Sequence, residues 1–394
     1  MNSYLHDNVH EQAPVVQLVQ ALLHKAITSL ASDIHLEPMA DGMHVRFRID
    51  GMLHMQERID ARLMHQVSSR FKVLADVDIA ERRLAQDGKF SVEHNGRKVD
   101  FRLATFPTQY GEKIVIRILD RLVHTMALDA LGFPEQELVL FRQYIRLNSG
   151  FFLVTGPTGS GKTTTLYAAL HEVNDANKHI ITLENPVEYT VSGITQGQIN
   201  PDVGFTFEAG MRALLRQDPD VVMVGEIRDQ QTARIAMQAA LTGHMVFSTV
   251  HTHNAPSVVT RLIDMGIEPF LLNASLTGVL AQRLARKLCQ QCRYALEPTQ
   301  EEKKLLAEYG YTSASVYAST GCAHCFGLGY KGRIGLFELL IITDELRALI
   351  AHAPAEPHFI KQAHATGMKT LMHDGIAKVA RGIISMLELM RVIV

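Results

Sequence analysis

The chain has 394 residues, of which 47% are hydrophobic and 20% charged, and its formal net charge is −2 at pH 7. This is the composition of a globular protein with room for two or three domains, and the lack of a basic excess disfavours nucleic acid as a bulk partner. The sequence shows no signal peptide and no apolar run near the ~18 residues of a membrane span. We therefore expect a cytoplasmic protein without direct membrane insertion.

After a tail of residues 1–14, residues 15–120 are predicted to form a small α+β domain. Apolar residues at helical spacing predict a helix over 15–30. Short strands follow, and the hairpin segment 44–49 is apolar on one face and basic on the other. A helix over 63–74 and strands over 89–93, 97–105 and 113–119 complete the domain. The many arginines on its polar strand faces would ordinarily be a solvated surface.

Residues 121–133 are predicted to be a linker, and residues 134–394 an α/β domain that ends in helices. A helix over 135–146 comes first. Predicted strands and helices then alternate at the period that is typical of parallel α/β units. The strands are predicted over 151–155, 179–183, 221–224 and 245–250, with helices such as 207–216 and 231–241 between them.

The strand over 151–155 runs directly into a glycine-rich turn and a helix, which is the context of a phosphate-binding P-loop. The glycines let backbone N–H groups surround a polyphosphate, and the helix adds its positive dipole end. Lys162 is expected to contact the terminal phosphates of a nucleotide and Thr163 to hold Mg²⁺. The predicted nucleotide-binding residues are Gly156, Pro157, Thr158, Gly159, Ser160, Gly161, Lys162, Thr163 and Thr164.

Two acidic segments follow buried strands. Glu226 comes shortly after the apolar run 221–224, and Glu184 directly after 179–183. Ligands of α/β sheets lie at the carboxyl ends of the strands, so Glu226 is expected beside Lys162, where a carboxylate can orient or deprotonate the attacking water. Glu184 and Glu188 are predicted to approach the metal or the water. The alternative is that they are solvated charges at a strand end.

A polar box over 243–254 surrounds the last predicted strand and contains several histidines. A metal site is disfavoured there, because no carboxylate or cysteine lies nearby in the sequence. A polar residue at the end of the strand next to the P-loop is suited to sense the γ-phosphate by hydrogen bonding. We assign that role to His244, with a purely structural His244 as the alternative.

The four cysteines form two Cys-x-x-Cys pairs within a module over 287–330. Four thiolates supplied by the protein suit a structural Zn²⁺ in tetrahedral geometry, and a redox pair is the competing interpretation. The predicted zinc ligands are Cys289, Cys292, Cys322 and Cys325.

These motifs, in this order, resemble those of the secretion-superfamily ATPases, and within them the type II secretion and type IV pilus assembly ATPases. The resemblance covers about residues 15–394, including two N-terminal stretches, 32–38 and 46–51. Besides the P-loop, the histidine box and the paired Cys-x-x-Cys, it rests on Glu184-Asn185-Pro186-Val187-Glu188 and Val224-Gly225-Glu226-Ile227-Arg228-Asp229.

The resemblance implies a RecA-like P-loop ATPase core with a PAS-like N-terminal domain, assembled as a homo-hexamer that powers pilin or pseudopilin assembly. It implies a polytopic inner-membrane platform protein as partner, and a peripheral position at that membrane through the partner. It also implies that N-terminal arginines meet the phosphates of the nucleotide. The matching segments are 86–89 and 100–102, so Lys89 is expected to bind nucleotide and Arg102 to stabilise charge.

Three departures from the family pattern bear on activity. Asn185 stands where the family usually has Asp, and Lys89 where it usually has Arg, which loses bidentate geometry. The short tail stands where members commonly carry a further domain, so the chain is a short natural form or a truncated one. Asn185 and Lys89 favour one alternative, a ring component that binds ATP with little hydrolysis. Two further alternatives are a pilus retraction ATPase, a class that lacks a four-Cys module, and a RecA-like nucleic-acid translocase.

Overall fold

The computed structural model describes residues 14–119, 127–312 and 315–393. The predicted tail up to residue 13, and residues 120–126 at the predicted linker, lie outside these ranges. The chain divides into two compact units, Met1–Val123 and His124–Val394. Among the described residues, no helix is long and apolar enough to cross a membrane.

The first unit is an antiparallel sheet with two helices packed against it. Its elements are α1 Pro14–Thr28, β1 Ala31–Met39, β2 Gly42–Ile49, β3 Met52–Ile59, α2 Met64–Leu74, β4 Asp87–His94, β5 Arg97–Thr108 and β6 Gly111–Leu119. The strand order is β3-β2-β1-β6-β5-β4. Alternation separates the two faces of the sheet, as predicted: Val45 and Phe47 are buried, whereas Arg46 and Arg48 are partly exposed.

The second unit begins with α3 and contains the P-loop. Its first half comprises α3 Glu135–Ile145, β7 Gly150–Thr155, α4 Lys162–Val173, β8 Ile180–Glu184, β9 Thr195–Gln198, α5 Phe207–Leu214, β10 Val221–Val224, α6 Gln230–Leu241 and β11 Met245–Val250. The second half comprises α7 Ser257–Asp264, α8 Pro269–Ser275, β12 Leu276–Leu288, β13 Arg293–Leu296, α9 Gln300–Glu308, β14 Val316–Ser319, β15 Tyr330–Ile341, α10 Asp344–Ile350, α11 Glu356–Ala365, α12 Leu371–Ala380 and α13 Met386–Ile393.

A seven-stranded sheet organises this unit, in the order β15-β12-β7-β11-β10-β8-β9. The strands from β12 to β9 are parallel, and β15 is antiparallel to β12. The predicted strands form at β7, β8, β10 and β11. The prediction lacked β9, β12 and β15, and it therefore missed the antiparallel edge.

Both faces of this sheet are covered by helices. Phe151 and Leu153 belong to one hydrophobic cluster, and Phe152 and Val154 to the cluster on the other face. Because successive side chains of a strand point to opposite faces, a strand buried on both sides is apolar throughout. This packing fixes the carboxyl end of β7, where the P-loop begins.

A buried carboxylate joins the last helix to the sheet. Glu388 of α13 has no exposed surface and accepts hydrogen bonds from Arg286 of β12 and from Arg391. Burial raises the pKa of Glu388, but the hydrogen bonds from Arg391 and Arg286 outweigh it and lower that pKa to about 2. The C-terminal helix is therefore tied to the strand that also packs beneath the P-loop.

Candidate nucleotide site

The P-loop occupies the turn between Thr155 of β7 and Lys162, the first residue of α4. Gly156 and Gly161 adopt φ angles of 149° and 89°, which favour glycine. The Lys162 ammonium folds over the loop and donates to the carbonyl oxygens of Gly156, at 2.8 Å, and Pro157, at 3.1 Å. The lysine predicted to bind phosphate thus lies against the loop predicted to surround it.

The environment of Lys162 lowers the pKa of its ammonium group. Burial lowers the pKa of Lys162 to about 8; the Glu226 carboxylate acts in the opposite direction, and Arg283 adds to the lowering. Glu226 and Arg283 are therefore electrostatic neighbours of Lys162, although both lie far from it in the sequence.

Glu226 lies just beyond the carboxyl end of β10. One of its oxygens is 2.6 Å from the guanidinium of Arg228, and the other is 3.9 Å from Nε2 of His251. Burial and the nearby charge of Lys162 lower the pKa of His251, which favours a neutral imidazole. The structure thus brings Lys162, Glu226 and His251 together at the carboxyl edge of the sheet.

The prediction that His244 senses the γ-phosphate is wrong. β11 runs parallel to β7, with Met245 opposite Gly150 and Val250 opposite Thr155. His244 precedes β11 and therefore lies at the amino edge of the sheet, where its Nδ1 is 2.9 Å from the carbonyl oxygen of Ala239. A side chain that reaches the P-loop from β11 must come from the residue that follows this strand, at the carboxyl edge of the sheet. That residue is His251, and the predicted strand end at 250 was sufficient to find it.

Glu184 is neither a solvated charge nor a carboxylate with a free oxygen. It is only 3% exposed, and its carboxylate accepts hydrogen bonds from the hydroxyls of Tyr167 and Thr182 and from the side-chain amide of Gln196. These bonds hold it in the interior, against the helix that follows the P-loop. Glu188 and Asn185 are exposed.

On the first unit, the strand register places the two predicted basic residues, Lys89 and Arg102, in line with charged residues of the neighbouring strands. Lys89 of β4 pairs with Arg102 of β5, and Arg102 pairs with Arg117 of β6. Arg117 in turn pairs with Asp33 of β1, and Asp33 with Arg48 of β2. Four cations and one carboxylate therefore form a single row across five strands, which we call the basic row. Lys89 and Arg102 are predicted from the sequence, and the strand register adds Arg117 and Arg48.

The four thiols meet in one cluster, in which all Sγ atoms lie within 4.8 Å of one another. The Cys289–Cys322, Cys292–Cys325 and Cys322–Cys325 separations are 3.8, 3.9 and 3.8 Å. A tetrahedral ion with Zn–S bonds of ~2.3 Å separates its sulfurs by about 3.8 Å. The backbone N–H groups of Cys322 and Gly329 each donate a hydrogen bond to the Sγ of Cys325 at 3.2 Å, which stabilises a thiolate there. Geometry and donors therefore fit Zn²⁺.

Known proteins are similar to this chain over nearly its whole length. Residues 8–391 match the family described as "Type II/IV secretion system protein". The type II secretion system ATPase E of Vibrio cholerae is 47% identical over 382 residues, which are 97% of this chain and 76% of that protein. The type IV pilus assembly ATPase PilB of Myxococcus xanthus is 44% identical over 94% of this chain and 66% of its own length.

Solved structures share the fold. The pilus retraction motor PilT with bound ADP superposes with a TM-score of 0.62 at 26% identity, over 95% of this chain and 96% of that one. The Legionella pneumophila ATPase DotB gives a TM-score of 0.68 at 20% identity, over 95% of each chain. The chain belongs to the type II/IV secretion system protein family, whose members include secretion and pilus assembly ATPases.

Proposed function

We propose that this chain is a Mg²⁺-dependent ATPase that converts ATP and water into ADP and phosphate and works as a homo-hexameric motor. The observation that carries the proposal is the convergence of Lys162, Glu226 and His251 at the edge where the P-loop begins. A cation for the phosphates and a carboxylate for the attacking water are the parts that phosphoryl transfer requires.

Each residue then has a role. Lys162 and the backbone amides of the P-loop bind the phosphates, and Glu226 orients the water or accepts its proton. His251 contacts the γ-phosphate by a hydrogen bond. The exposed hydroxyl of Thr163 would hold Mg²⁺, which supplies positive charge to the polyphosphate. Glu184 is auxiliary and acts by positioning α4 through Tyr167.

The basic row and the four cysteines also have roles in this proposal. The basic row supplies Arg102 and Lys89 to stabilise charge on the phosphates. Zn²⁺ on the four thiolates holds the cysteine module together, as a structural and not a catalytic ion. The thiol cluster also favours assembly over retraction among the activities of this family.

The work that the motor performs follows from the relatives. Proteins named type II secretion system ATPase E and type IV pilus assembly ATPase cover nearly all of this chain. We infer that ATP hydrolysis powers pilin or pseudopilin assembly through a polytopic inner-membrane platform protein. The chain would then be peripheral at the inner membrane, held there by that partner, and would need no nucleic acid.

Turnover and ATP binding, measured separately, test the proposal. Lys162→Ala should abolish hydrolysis, because it removes the phosphate cation in both ground and transition states. Glu226→Gln should keep ATP bound while turnover falls by about 10² or more. His251→Ala should slow turnover, and His244→Ala, at the opposite edge of the sheet, is its matched control.

Three outcomes would contradict parts of the proposal. Wild-type turnover in Glu226→Gln would remove the carboxylate from the chemistry. ATP binding without turnover by the unmodified chain would identify a non-hydrolysing ring component. Stimulation of turnover by DNA that grows with DNA length would identify a translocase.

A further inference from the structure

Two neighbouring residues of β12, Gln282 and Arg283, are polar and yet nearly buried, with exposures of 2% and 9%. β12 pairs with β7 on the side of the sheet that leads into the P-loop, with Ala281 opposite Thr155. A buried amide or guanidinium is costly unless it is hydrogen-bonded. Gln282 makes its side-chain hydrogen bond to the helix that follows the P-loop, and Arg283 makes one of its own to the loop that carries His251.

Gln282 supports the P-loop from below. Its side-chain oxygen accepts a hydrogen bond from the hydroxyl of Thr165 in the first turn of α4, at 2.7 Å. A Cβ added at Gly161 would lie 2.8 Å from its side-chain nitrogen, and one added at Gly156 would lie 2.4 Å from its carbonyl oxygen. At Gly156 the backbone of Gln282 therefore leaves no room for a side chain, and at Gly161 the end of the Gln282 side chain lies against the loop.

Arg283 holds a different loop, residues 251–255, which carries His251. Its guanidinium donates to the carbonyl oxygen of His253 at 2.7 Å. The same loop is fixed further along by Glu338 of β15, a buried carboxylate that accepts from the backbone N–H of Ala255 at 2.7 Å. Arg283 is thus one of the groups that fix the segment bringing His251 to Glu226, together with Glu338 and with Thr155, which is hydrogen-bonded to Thr252.

We propose that Gln282 and Arg283 are positioning residues with divided roles. Gln282 shapes the P-loop and so controls nucleotide affinity, whereas Arg283 places the 251–255 loop and so controls turnover. The division rests on the proposed ATPase function, because the two loops contribute different groups to that site. A merely structural role would lower stability without separating affinity from turnover.

The test compares Gln282→Met and Arg283→Met in the full chain, with fluorescently labelled ADP for affinity and phosphate release at saturating ATP for turnover. Gln282→Met loses one buried hydrogen bond and should weaken ADP binding about five- to tenfold, with turnover within about threefold. Arg283→Met should leave ADP affinity within about threefold and slow turnover at least about tenfold. Arg283→Lys, which keeps a donor for the carbonyl of His253, should recover most of that turnover.

Leu280→Met is the matched control, because Leu280 is fully buried on the same strand and the substitution conserves volume. Thr165→Val removes the Gln282 hydrogen bond from the helix side. It should reproduce the affinity loss, and the double variant Thr165→Val Gln282→Met should lose no more than either single one. If Gln282→Met does not fold, Thr165→Val takes its place in the measurement of ADP affinity. If Arg283→Met does not fold, Arg283→Gln takes its place in the measurement of turnover.

Equal effects of the Gln282 and Arg283 variants on ADP affinity, or on turnover, would overturn the proposed division of roles. Additive losses of ADP affinity from the Thr165 and Gln282 substitutions would overturn it as well. Absence of turnover in the unmodified chain would instead contradict the ATPase function itself. In that case the measurements of ADP affinity still decide whether Gln282 shapes the P-loop.

Discussion

At the scale of single residues, Lys162 has a charge that depends on its neighbours. Its pKa of about 8 results from burial and the nearby Arg283, with Glu226 opposing them. The protonated amine is the form that attracts phosphate; it predominates below this pKa and is lost above it. We therefore expect the protonation of Lys162 to make nucleotide affinity depend on pH.

We predict that ADP binding weakens as the pH rises through about 8, the pKa of Lys162. In Glu226→Gln the weakening should begin at lower pH, because the substitution removes the negative charge that raises the pKa of Lys162. Titration of fluorescently labelled ADP at a series of pH values measures both. Lys162→Arg is the control, since a guanidinium keeps its charge throughout and its affinity should not follow this pH dependence. An unchanged or higher midpoint in Glu226→Gln would contradict the coupling.

Local motifs were sufficient to expect Lys162 and Glu226 near one another, because each follows the end of a parallel strand and these ends meet at one edge of the sheet. Long-range contacts were not predictable in the same way. Nothing near Glu184 in the sequence indicates that Tyr167 and Gln196 bury its carboxylate. The error at His244 was different, because it arose from choosing the wrong end of a correctly predicted strand.

At the scale of elements, β12 connects two functional parts of the second unit. It packs under the P-loop at Gln282, and Cys289 follows directly after its last residue, Leu288. The cysteine cluster therefore ties the end of β12 to the segment around Cys322 and Cys325. The sequence pattern did not predict this strand. Arg283 and Arg286 interrupt its apolar residues, and their partners, His253 and Glu388, are distant in the chain.

We predict one tightly held Zn²⁺ per chain on the four thiolates, measured by elemental analysis after a chelator wash. Stripping the metal with a stronger chelator should lower the melting temperature by roughly 5–10 °C, because an ion bound only by the folded state stabilises that state. Restoring Zn²⁺ should reverse the loss, and Mg²⁺, which prefers oxygen ligands, is the negative control. Protein that contains no zinc and forms a reversible disulfide instead would disprove the structural site.

At the scale of the whole molecule, the two units contribute different chemistry. The second unit carries the P-loop, the carboxylate and the thiol cluster, whereas the first carries the basic row and no part of the P-loop. A lone partly exposed arginine on a strand contributes little to stability, with an effect within about 0.5 kcal/mol when it is removed. An arginine that stabilises the charge of a transferring phosphoryl group contributes about 10³ or more to turnover. One variant can therefore distinguish a solvated surface from a functional one.

That variant is Arg102→Ala, in the part of the basic row between Lys89 and Arg117. We predict that it melts within a few degrees of the unmodified chain, binds ATP with modest loss and hydrolyses it about 10³ times more slowly. Lys89→Ala should show the same pattern more weakly, since an ammonium is a point charge without bidentate geometry. The matched control is Arg62→Ala, an arginine of the same unit whose side chain is 88% exposed and lies outside the row. If Arg102→Ala turns over ATP like Arg62→Ala, the first unit does not take part in hydrolysis, and the basic row is an ordinary solvated surface.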